Sequence, residues 1–367
     1  FGYGLFAQNL QDKNPVLSPV SAYLALTMAG CGAYGAAKEE FHKVLGKDMV
    51  ALAIDMMNTL PAKGDFLNVS FANSAWIDSR YFLRDTWMSA VKSMMNAEVF
   101  QAVLSTEETV EVINRWISVN TGGMIDKILE RPLDLWTKAA FFSTVYFKGR
   151  WAVPFENYRT HKEAFYTDKR QGTAVQADMM CMHGPGRVLD YISDSFTEGV
   201  ILPYARNGAW DAQLALVALK PKGNANMRNI CSRLTSGVIK SMLSSRKKIE
   251  IELKLPKFSV TFDVVMNKSL ANMGLLRCFS MEQANFANIL KNTRNREQLF
   301  IGLVNQKARI TVDENGTEAA AATSLLAPLS AWEAQKKLSF DEPFLYMVLD
   351  MDKELPLFIG IMDNPTA

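Results

Sequence analysis

At 367 residues with 49% hydrophobic side chains, the chain is long enough to bury a sizeable core, in one domain or two. Its 40 basic and 38 acidic residues nearly cancel, which excludes a general attraction to nucleic acid or to an anionic membrane. No apolar run is long enough to span a bilayer, and Phe1-Gly-Tyr-Gly-Leu5 lacks the basic start and longer apolar core of a signal peptide.

In chain order, Leu5, Phe6 and Leu10 mark a first helix that Asp12-Lys-Asn14-Pro15 ends. Val16 to Ser21 then leads into an apolar helix, Ala22 to Ala29, and Ser18 and Ser21 sit at that junction as caps. Residues 49 to 60 read as a helix without a lysine or arginine, Leu67 to Ile77 as a strand, and Asp85 to Asn96 as a helix with Met94-Met95 as core filler. Ala139 to Gly149 is a near-continuous apolar strand, the mark of burial on both faces, and Trp151 follows it. Gly199 to Tyr204 and Ala212 to Leu219 form a strand pair. Ser244-Ser-Arg-Lys-Lys248 is a solvated basic edge before the strand Ile249 to Leu255. Phe340 to Leu349 and Pro356 to Gly360 hold two buried strands. Helices and strands mix without strict alternation or linker, which predicts one α+β domain over 1–367.

Enzymatic machinery is missing. The three histidines, His42, His161 and His183, have no metal-pair spacing, and neither a Gly-x-Ser-x-Gly elbow nor a phosphate loop is present. Cys31, Cys181, Cys231 and Cys278 read as buried or free thiols rather than a disulfide framework. Cys181-Met182-His183 lacks the second pair that would complete four ligands, so no metal and no cofactor are assigned.

The organising stretch follows the strand Ala308 to Asp313. Glu314-Asn315-Gly316-Thr317-Glu318-Ala319-Ala320-Ala321-Ala322-Thr323 continues in small and apolar residues to Trp332. Four successive alanines permit a short helix or a flexible linker. Drawn as a strand, the segment puts Thr317, Ala319, Ala321 and Thr323 on one face and Glu318, Ala320 and Ala322 on the other. No bulky or charged side chain would have to be forced between neighbouring strands if this segment entered a sheet.

This hinge closely resembles that of the inhibitory serpins, the serine protease inhibitors, and the resemblance runs across essentially the whole chain. It implies three β-sheets, about eight to nine helices and an exposed reactive-centre loop over about 314–339. It also implies that Thr109 to Leu129 holds the helix across the main sheet, that Trp151 lies at the breach where the loop first inserts, and that Ser18, Ser21, Ser143 and Gln306 form the shutter beneath it. The family commonly has asparagine and histidine where Ser143 and Gln306 stand, so a Ser143–Gln306 pairing is expected in their place. The helix at 49–60 resembles that of a member without a heparin-like cofactor.

Function by resemblance is suicide inhibition: a serine protease is trapped as a covalent acyl-enzyme when the cleaved loop inserts into the central sheet. Counting from Glu314 puts the reactive bond at Ser330-Ala331, with Leu329 and Trp332 as alternatives. Small residues there suit an elastase- or subtilisin-like protease, and the alternatives a chymotrypsin-like one. The chain is then no enzyme, and is expected to act as an extracellular monomer. The competing reading is a non-inhibitory serpin, a carrier, chaperone or storage protein. Asn315-Gly316-Thr317 is also a glycosylation sequon, and a glycan there would obstruct insertion.

Overall fold

The computed structural model describes residues 1–11, 13–205, 213–223, 225–291, 299–317 and 333–367. The first helix, α1 (Gly2–Ala7), ends earlier than its apolar spacing suggests, and Leu10 is buried from the turn that follows. β1 (Val16–Leu17) delivers the chain to α2 (Pro19–Gly32), capped by Ser18, whose hydroxyl accepts the Ser21 N–H, with proline in the first turn. α2 is apolar all round and almost wholly buried, which makes it a core helix rather than an amphipathic one. Around it pack α3 (Gly35–Leu45), α4 (Met49–Thr59) and α5 (Asp85–Met95). α3 buries the stripe Ala37, Phe41, Leu45, a four-residue spacing that the reading above passed over.

Between and after these helices run β2 (Leu67–Asp78), β3 (Ala97–Ala102), α6 (Glu107–Asn120) and β4 (Ala139–Arg150). α6 stops well before Leu129 because Gly122 and Gly123 take left-handed φ of 59° and 80°. The middle of the chain forms β5 (His161–Asp168), β6 (Thr173–Met182), β7 (Val188–Ser193), β8 (Thr197–Pro203), β9 (Leu214–Pro221), α7 (Met227–Cys231) and α8 (Ser236–Ser244). The remainder forms β10 (Lys247–Pro256), β11 (Phe258–Val265), α9 (Asn267–Met273), β12 (Ile301–Val312), β13 (Gly316–Thr317), β14 (Lys336–Ser339), β15 (Phe344–Asp350) and β16 (Leu355–Met362).

The central sheet has the order β11-β12-β4-β2-β3, with β13 added to β4. The other strands follow one path, β1-β16-β15-β9-β8-β7-β10-β6-β5, with β14 on β10. β10 is shared: Lys247–Glu250 pairs with β7, and Leu253–Pro256 with β6. Divided at that strand, the path is two sheets, giving the three-sheet architecture expected, with nine α-helices among the described residues. One face of the central sheet lies on the main core with α2. The other is covered by α6, whose Val110, Ile113 and Ile117 meet Trp76, Ala140 and Phe142.

One ladder is incomplete. β4 pairs with β2 from Ala139 to Gly149, and β12 with β11 from Asn305 to Val312. The parallel ladder between β4 and β12 themselves joins only Ala139–Phe141 to Ile301–Val304. Beyond Phe141 and Val304 each strand is bonded on its outer side, and the sheet has an open seam between them.

Candidate functional site

The seam is closed at its far end by the hinge. β12 runs into a tight turn in which Asp313 N donates to Gly316 O at 2.9 Å and Gly316 N to Asp313 O at 3.3 Å. The Asp313 carboxylate reinforces it, Oδ1 accepting from Asn315 N at 2.8 Å and Gly316 N at 3.2 Å. Burial, the larger influence, pushes the Asp313 carboxyl above its ordinary value. Gly316 then meets Arg150, and Thr317 meets Gly149, as a two-residue antiparallel strand on β4. Glycine is required there: φ is 149°, and a Cβ would lie 2.0 Å from Gly149 O.

Trp151 stands at this point. Its indole N–H donates to Asp313 O at 2.9 Å, and its backbone N–H to Asn315 O at 2.8 Å. Its ring stacks on Tyr204, with centroids 4.8 Å apart and 13° between planes. Tyr204 and Thr317 share a hydroxyl–hydroxyl hydrogen bond of 2.8 Å, and Thr317 is 1% exposed. Burial drives the Tyr204 phenol far above its usual value, with the Thr317 bond opposing. Thr317 is thus seated at the head of the seam.

Glu314 anchors the outside of the turn. Its carbonyl accepts from Phe155 N at 2.8 Å, and its carboxylate takes Thr160 Oγ1 at 2.7 Å and Lys257 Nζ at 2.8 Å. Burial alone would raise this carboxyl, but the bonds from Lys257 and Thr160 outweigh it and hold the group below its ordinary value.

At the shutter the structure corrects one expectation. Gln306 Oε1 accepts from Ser18 N and its Nε2 donates to Ser18 O, both at 2.8 Å, so its carboxamide is spent on the backbone ahead of α2 and not on Ser143. Ser143 Oγ and the neighbouring Thr144 Oγ1 are buried without a hydrogen-bond partner among the described residues. The reason is the seam: at the level of Gln306 the sheet no longer joins β12 to β4, and Ser143 lies across the opening. Ser18 and Ser21 hydroxyls do meet, at 3.2 Å. Glu318, Ala319, Ala320, Ala321, Ala322 and Thr323, and the reactive-bond candidates Leu329, Ser330, Ala331 and Trp332, lie outside the described residues.

Tyr204, Asp313, Thr160 and Lys257 escaped the reading of the sequence. Asp313, two positions before Asn315-Gly316, was a visible turn signal. Thr160 and Lys257 had none, since Thr160 reaches Glu314 across 154 positions. All four cysteines are free, and no cluster of histidine, cysteine and acidic side chains suited to a metal occurs among the described residues.

The central sheet is thus open beyond Phe141 and Val304, with Gly316 and Thr317 seated on β4 at the head of the opening. The Serpin (serine protease inhibitor) family pattern matches residues 1–365, and the chain belongs to that family. Among curated relatives, an alpha-1-antitrypsin-like protein of Tamias sibiricus is 27% identical over 99% of this chain and 86% of its own length. Iripin-3 of Ixodes ricinus is 29% identical over 96% and 89%, and intracellular coagulation inhibitor 1 of Tachypleus tridentatus 27% identical over 98% and 86%. Among solved structures, the thermophilic serpin tengpin in its native state superposes with a TM-score of 0.89 at 27% identity, over 99% of this chain and 92% of that one. The same serpin in its latent state gives 0.80 at 26% identity, over 98% and 94%. Thyroxine-binding globulin in complex with thyroxine, at 23% identity and a TM-score of 0.85 over 100% and 99%, shares the fold.

Proposed function

We propose that this serpin is a suicide inhibitor of elastase-, subtilisin- or chymotrypsin-like serine proteases, working as a monomer and without a heparin-like cofactor. A protease serine attacks the Ser330-Ala331 bond and forms an acyl-enzyme. The freed segment beyond Thr317 then enters the seam as a new central strand. About 12 residues at roughly 3.3 Å each carry the tethered protease some 40 Å. Displacing its oxyanion hole by even about 1 Å can cost two orders of magnitude in rate, so deacylation stalls.

The observation that carries this reading is the seating of Thr317 beside β4 above two strands whose facing edges are unladdered beyond Phe141 and Val304. Each new ladder bond contributes only about 1 kcal/mol net, but a dozen residues supply many, so the loop-out state is a kinetic trap. The absence of lysine and arginine from Asn315 to Gln335 argues against trypsin-like targets.

Incubation with elastase, subtilisin or chymotrypsin, followed by denaturing electrophoresis, tests the proposal. A band at the summed mass of protease and inhibitor supports it. Cleavage of the loop with no such band from any of the three sinks it in favour of a carrier, chaperone or storage role.

A further inference from the structure

The turn between β12 and β13 contains a chemistry that strand insertion does not use. Asn315 precedes Gly316, and no side chain on the second residue shields its backbone nitrogen from the carboxamide of the first. Asn315 is partly exposed, and its carboxamide makes no hydrogen bond among the described residues, so none of them ties it away from that nitrogen. The Gly316 nitrogen is 3.2 Å from Asp313 Oδ1, within reach of a general base. That oxygen is itself held by the Asn315 N–H at 2.8 Å, so the base is fixed in place. Burial makes the Asp313 carboxylate more basic than an exposed one. The other reading of this tripeptide, a glycosylation sequon, is closed in the folded chain, because the Thr317 hydroxyl is buried against Tyr204.

We propose that Asn315 is a self-modification site at which the hinge ages. Asp313 takes the proton of Gly316 N, which attacks Asn315 Cγ and closes a succinimide. The proton is returned to the carboxamide nitrogen, which leaves as ammonia. Water then opens the ring at either carbonyl, giving aspartate or isoaspartate. Isoaspartate adds a methylene to the main chain inside a two-residue turn, and turn length fixes strand register. Gly316 and Thr317 therefore lose their places opposite Arg150 and Gly149. The functional consequence rests on the inhibitory reading above: an aged molecule is cleaved as a substrate instead of trapping the protease.

The test holds the intact protein, native or in denaturing urea, at neutral pH, and follows residue 315 by peptide mass spectrometry with enzymatic isoaspartate methylation. Isoaspartate is expected to form about tenfold faster in the folded chain, and Asp313→Asn and Asp313→Ala to remove that advantage. In the folded wild type the rate levels off above the titration of Asp313, instead of climbing in proportion to hydroxide. A folded rate at or below the denatured one, or an unchanged rate in both variants, overturns the proposal. Trapping of elastase falls in step with isoaspartate content in the wild type, and Asn315→Gln keeps whatever trapping it has when fresh. Undiminished trapping by fully converted protein overturns the functional half. Fresh protein that traps no protease defeats the inhibitory reading, while the mass data still decide the chemistry.

Discussion

Thr317→Arg is the sharpest probe of the hinge. The wild-type side chain is 1% exposed and its hydroxyl meets the fully buried Tyr204 at 2.8 Å. A guanidinium there is shut away from water, and burying an unpaired charge costs several kcal/mol. The hinge is expected to leave the seam, so that every insertion must begin by burying the charge. If about 3 kcal/mol of that cost falls on the insertion barrier, insertion slows about a hundredfold. Deacylation then wins the race, and the variant is turned over as a substrate. Thr317→Val is the milder control: it keeps shape but leaves the Tyr204 hydroxyl without a partner, a penalty of about 1–3 kcal/mol. The assay titrates a fixed amount of elastase and counts inhibitor consumed per enzyme trapped, expected to rise slightly for valine and steeply for arginine. An unchanged count for Thr317→Arg would refute the reasoning that insertion starts at this residue.

Glu314 makes the hinge pH-sensitive. Its folded carboxyl is held below the ordinary value of 4.5, so its stabilisation is complete above that pH and fades as the pH falls through the lower folded value. Melting curves collected downward from neutral pH should show Glu314→Gln converging on wild type at the acid end; parallel curves would contradict this. At the shutter, Gln306→Leu strands the Ser18 N–H, while the Ser18 carbonyl keeps the Ala22 N–H, and should cost about 1–3 kcal/mol in denaturant unfolding. Ser143→Ala removes a hydroxyl without a partner among the described residues and should be neutral or slightly stabilising; a large loss would contradict this. Loop-nicked protein should melt well above intact protein; equal melting temperatures would remove the stored driving force on which trapping depends.

The local features were legible in the chain. Ser18 ahead of Pro19 announced the cap of α2, and the apolar run at Ala139 announced a strand buried on both faces. Each depends on neighbours a few positions away, so residue type and period carry the information. Tertiary structure alone decided where the central sheet stays open, that Gln306 is committed to the backbone of Ser18, and that Tyr204 receives Thr317. Those contacts join residues more than a hundred positions apart, 288 for Gln306 and 113 for Tyr204. A carboxamide or hydroxyl has many possible partners of equal chemistry, and only packing brings one of them within 3 Å.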